Sequence, residues 1–140
     1  MSIHSQQSNM RRLATLLKHS PRSIEDRQAA MNVGRAFLRT LAEDLGLRDA
    51  TVLLSPGPDG TAENCILAGM WQENGLYVRL DTKAKSGGTV LYRSIRHKRD
   101  NKGGYPRYLA RRDLAFLSYG QLLEEMSAMR KAGAQNECAA

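Results

Sequence analysis

The stretch Cys65-Ile66-Leu67-Ala68-Gly69-Met70-Trp71-Gln72-Glu73-Asn74-Gly75-Leu76-Tyr77-Val78-Arg79-Leu80-Asp81 decides the fold. Leu76, Val78 and Leu80 alternate with Tyr77, Arg79 and Asp81, the period of two that marks a strand with one apolar face. Residues 65–72 read as its partner, and Cys65, which opens that run, reads as a small apolar core residue. Between the two runs stands Asn74-Gly75, a dipeptide that tolerates positive φ at both positions and so predicts a tight two-residue hairpin turn. In that register Trp71 faces Val78 and Gly69 faces Leu80, which places the single tryptophan on the apolar face.

Working outward, residues 51–55 form a short β-prone run, closed by Pro56-Gly57-Pro58-Asp59-Gly60. Upstream, Ala30, Val33, Phe37, Leu38, Leu41 and Leu45 make one apolar stripe at helical spacing. Ser23 with Asp26 proposes its N-terminal cap and Gly46 its C-terminal stop. Arg27, Arg35 and Arg39 lie on the opposite, solvated side. A shorter helix is expected from Ser8 or Asn9, with Met10, Leu13, Leu16 and Leu17 inward and Arg11, Arg12 and Lys18 outward, ending before Pro21.

Downstream, residues 89–95 alternate as a further strand, and residues 107–117 favour neither helix nor strand. Ser118 with Gln121 makes another capping box, ahead of Leu122, Leu123, Met126 and Met129 on one stripe and Gly133 as a stop. The expected class is α+β: two N-terminal helices, an antiparallel sheet of about four strands containing the Asn74-Gly75 hairpin, and a C-terminal helix, with the helices on one face of the sheet. Residues 1–22 are expected as a short helix or arm, residues 23–133 as the single domain and residues 134–140, with Cys138, as a flexible tail.

The chain of 140 residues fits one core. It contains no apolar run long enough for a membrane span. Residues 1–7 lack the basic-then-apolar order of a secretory signal, and two cysteines are too few for a disulfide framework, so the expected location is cytoplasmic. Phosphate-cradling and dinucleotide glycine motifs are absent, and His4, His19 and His97 stand in no ligand spacing, so neither a cofactor nor a metal is expected.

The net charge of +7 is local, because residues 93–112 hold eight Lys or Arg against one Asp and carry the whole of it. A cluster this dense attracts polyanions by steering and counterion release. The candidate binding residues are Arg93, Arg96, Lys98, Arg99, Lys102, Tyr105, Arg107 and Tyr108, with the tyrosines as stacking groups. The expected partner is nucleic acid, RNA ahead of DNA, or a nucleoprotein complex; an acidic protein surface would suit the same charge.

In length, in lack of targeting and cofactor motifs, and in this basic segment, the chain resembles the small accessory proteins of phages and plasmids, including anti-CRISPR proteins. That resemblance implies a non-enzymatic inhibitor that occupies a host nucleoprotein complex, competing for guide RNA or an acidic surface. In size and composition the chain also resembles small α+β ribonuclease toxins of bacteria. The alternative that this implies is RNA cleavage, with His97, Tyr105 or Tyr108 moving protons and Arg93, Arg96 and Arg107 holding the phosphate. A third expectation is an interaction protein that dimerises through the stripe of the long helix.

Overall fold

The structure is a computed structural model and describes residues 3–16, 24–47, 51–56, 62–70, 74–81, 88–95 and 106–139. Helix α1 (Ile3–Leu16) and helix α2 (Ile24–Asp44) precede five strands, β1 (Thr51–Pro56), β2 (Ala62–Met70), β3 (Asn74–Asp81), β4 (Gly88–Ile95) and β5 (Arg107–Ala110). Helices α3 (Arg111–Phe116) and α4 (Tyr119–Ala139) close the chain. The strands form one antiparallel meander in the order β1-β2-β3-β4-β5. The fold is therefore α+β, and the fifth strand comes from the 107–117 stretch whose sequence favours neither state.

Helix α2 forms because its stripe buries on one side: Phe37, Leu38 and Leu41 are fully buried, and Val33 and Leu45 nearly so. It ends where expected. Gly46 adopts φ 68°, its N–H donates to the Glu43 carbonyl, and the Leu47 N–H donates to the Ala42 carbonyl. This is a Schellman cap, in which a residue in the left-handed region lets two orphan carbonyls find donors. At α4, the Gln121 N–H donates to Ser118 Oγ at 3.1 Å and the Ser118 N–H donates to Gln121 Oε1 at 3.3 Å, so the second capping box forms as read. The box expected at Ser23 lies outside the described residues.

One core joins these elements. Leu76, Val78 and Leu80 of β3, Val90 and Tyr92 of β4 and Leu109 of β5 pack with the α2 stripe, with Met10 and Leu13 of α1, and with Leu114, Tyr119, Leu122 and Met126. All the helical partners thus lie on one side of the sheet. Of the segment 1–22, α1 belongs to this core. It starts at Ile3, earlier than the apolar spacing indicates, because polar side chains hold its first turns. Fully buried Gln6 donates through Nε2 to the Phe37 carbonyl at 3.0 Å and accepts from Asn9 at 3.0 Å. Gln7 accepts the Tyr119 N–H at 2.9 Å and donates to the Leu117 carbonyl at 3.1 Å. Arg11, read as outward-facing, instead donates to the carbonyls of Leu114 at 2.7 Å and Leu117 at 3.1 Å, closing the C-terminal end of α3.

The hairpin is corrected in register. Asn74 pairs with Met70 and Gly75 with Gly69, so both residues belong to β3 and the connection is residues 71–73. Val78 faces Ile66, not Trp71, and Leu80 faces Asn64, not Gly69. The change is an odd number of residues, and an odd shift turns every β2 position to the other face. The physical reason lies in the backbone. Gly46 is the positive-φ glycine among the described residues, so Gly75 is extended strand, and that conformation lets it pair with Ile95 of β4 as well. Trp71 lies outside the described residues. Helix α4 also runs through the stop expected at Gly133, to Ala139, and so includes Cys138.

Candidate nucleic-acid interface

Alternation along β3, β4 and β5 sends successive residues to opposite faces, and the face away from the helices carries the candidate site. Tyr77 of β3 stands opposite Arg93 of β4. Two residues along, Arg79 stands opposite Leu91, which stands opposite Tyr108 of β5. The Arg93 Cζ lies 5.4 Å from the centroid of the Tyr77 ring, inside the range in which a guanidinium is held by the ring quadrupole. Tyr77, Arg79, Leu91 and Arg93 are half-buried, whereas Tyr108 on the edge strand is 61% exposed.

The residues beside them in sequence go the other way. Tyr92 pairs with Arg107 on the helix side, where Arg107 forms an ion pair with Glu125 of α4. Burial first, then a hydrogen bond to Glu125 and its charge, push the Tyr92 hydroxyl up to about 12, against a smaller opposing effect of Arg107. Tyr119 behaves alike: its hydroxyl donates to Asp44 Oδ2 at 2.6 Å, and burial followed by that bond raises its pKa. Both are held as neutral phenols at physiological pH, so neither is a general base.

Of the eight candidate binding residues, three fall on described positions, and the sheet separates them. Arg93 and Tyr108 share the open face; Arg107 belongs to the helix side. Its pairing partner Glu125 lies 18 residues further on and is invisible to a count of local charge. Arg96, Lys98, Arg99, Lys102 and Tyr105, with His97, lie in the 96–105 connection outside the described residues. That connection leaves β4 at Ile95 and precedes β5 at Arg107, so chain connectivity ties it to the end of the sheet that holds the Tyr77–Arg93 pair. Tyr77 and Arg79 are the residues that counting cations overlooks. Their signal is the outward half of the β3 alternation.

The apolar stripe of α2, the expected dimer contact, is occupied within the chain. Among the described residues no cluster of three or more His, Cys, Asp or Glu could hold a metal ion, and no helix is long and apolar enough to cross a membrane. No family model matches the sequence, and no curated protein or solved structure matches it either.

Proposed function

We propose that this protein is a non-enzymatic nucleic-acid-binding module that uses the open face of its sheet together with the basic 96–105 connection. The observation that carries this reading is the Arg93–Tyr77 stack, which shares a face with Arg79 and the exposed Tyr108. Cations and rings side by side suit a ligand that has both phosphates and base faces. Arg96, Lys98, Arg99 and Lys102 add positive charge to the segment of chain that follows Arg93. In the setting of mobile-element inhibitors, the same surface would compete for the guide RNA of a host nucleoprotein complex.

The test is equilibrium binding of labelled RNA and DNA across a salt series, with the products run on a denaturing gel. About five phosphate contacts predict a loss of roughly two orders of magnitude in affinity between 50 and 200 mM salt. Charge reversal at Arg96, Lys98 and Arg99 should abolish binding and leave the melting temperature unchanged. Absence of binding at low salt removes the proposal in favour of an acidic protein partner, and cleaved RNA on the gel replaces it with the nuclease reading.

A further inference from the structure

Charge alone does not distinguish a duplex from an unpaired strand, but the placement of the rings does. Resting on the nucleic-acid reading above, we infer that the ligand is a single strand whose bases stack on two separate platforms, the Tyr108 ring and the Arg93 guanidinium backed by Tyr77. Tyr108 stands opposite Leu91, and Tyr77 stands opposite Arg93, on the two strands that flank β4. One inter-strand spacing across and two residues along place Arg93 roughly 8 Å from Tyr108, and a second spacing places Tyr77 roughly 12 Å away. A continuous base stack advances by only about 3.4 Å per nucleotide. The two platforms therefore take bases that are not stacked on each other, which requires an extended strand. A duplex keeps its base faces covered by their neighbours and presents only edges and phosphates. It can meet the cations, but it cannot use the rings.

The two platforms differ in what they demand. Tyr108 is largely exposed at the sheet edge and offers a bare ring face. Arg93 is held in place by the Tyr77 ring beneath it, and a planar guanidinium can accept a base on its outer side while contributing charge. Leu91 lies between them on β4 and gives the crossing strand an apolar floor.

The experiment compares oligo(U), oligo(dT) and a mixed-sequence duplex by fluorescence anisotropy, for the wild-type chain and for Tyr108→Ala, Tyr108→Phe and Arg93→Lys. The wild type should bind the single strands at least about ten-fold more tightly than the duplex. Tyr108→Ala should lose roughly ten-fold on the single strands and nothing on the duplex. Tyr108→Phe retains the ring and should restore wild-type affinity, which separates stacking from a fold defect. Arg93→Lys keeps the charge and removes the plane, so single-strand affinity should fall while the salt slope stays the same. Equal affinity for duplex and single strand, with Tyr108→Ala silent on both, would overturn this inference and leave the nucleic-acid reading standing. No binding to any of the probes at low salt overturns both.

Discussion

Arg107 and Tyr108 are neighbours in the chain, yet they serve different halves of the molecule. On the helix-covered side of the sheet, Arg107, Tyr92 and Glu125 form a closed polar group at the rim of the core, and Tyr119 hands its hydroxyl to Asp44. On the open side, Tyr108 is exposed and the Tyr77 ring lies against Arg93. Four tyrosines thus divide by position: two are buried, Tyr92 tying α4 to the sheet through Glu125 and Tyr119 tying α4 to α2 through Asp44, and two have rings on the open face. The pleat makes the division, since one step along a strand reverses the side. Substitutions on the covered side should change stability and spare binding, and those on the open side the reverse.

The largest effect that tests this division is expected at Phe37, which is fully buried and meets Tyr119 edge-on at a centroid distance of 6.2 Å and an interplanar angle of 70°. Phe37→Ala removes that contact and opens a cavity, so it should cost about 3–5 kcal/mol in a urea melt. The folded fraction should still bind oligo(U) with unchanged affinity. A loss below about 1 kcal/mol would break the comparison, because such a side would not be a close-packed core.

Alkaline pH provides the second test, with a defined sign. Tyr92 ionises near 10 in the unfolded chain and near 12 in the folded one, so unfolding releases a proton between those values. The stabilisation is complete below about pH 10 and is lost as pH rises through 12; the raised pKa of Tyr119 acts in the same direction. Melting temperature should therefore decline above pH 10. Absorbance titration of the five tyrosines should show a late-ionising group in the folded protein that vanishes in urea. A single transition near 10, the same folded and unfolded, would contradict the buried hydroxyls.

How much of this was legible beforehand depends on the range of the interactions involved. The α2 stripe, its stop at Gly46 and the Ser118–Gln121 cap are written within a few residues of one another, and they form as read. The β2 register is not local. Asn74-Gly75 suits a turn as well as a strand end, and the choice fell to pairing with Met70, Gly69 and Ile95. Arg11 could not be recognised as a closing group for α3, because the carbonyls it serves lie more than a hundred residues away. For the site, composition located Arg93 and Tyr108, and alternation in β3 already set Tyr77 and Arg79 on one side. The face that Arg107 takes was not legible, for a specific reason. That face follows from a four-residue strand whose register shifts between Gly88 and Val90, and no sequence pattern that short fixes a phase.

The smallest expected effect sharpens the comparison at that position. The Arg107–Glu125 pair is largely solvated, with side chains 60% and 37% exposed, so breaking it from either end should cost about 0–1 kcal/mol. Stability alone would then not place Arg107, but Tyr92 can report on it. Glu125 raises the Tyr92 pKa through its hydrogen bond and its charge, while Arg107 lowers it. Glu125→Gln should therefore bring the late tyrosine transition down, and Arg107→Ala should push it further up. If Arg107 instead lay on the open face, Arg107→Ala would leave that transition where it is and weaken oligo(U) binding as strongly as the loss of Arg93. The two substitutions act on one phenol with opposite signs only if Arg107, Glu125 and Tyr92 share the covered side, which assigns each of two adjacent residues, Arg107 and Tyr108, to its own half of the molecule.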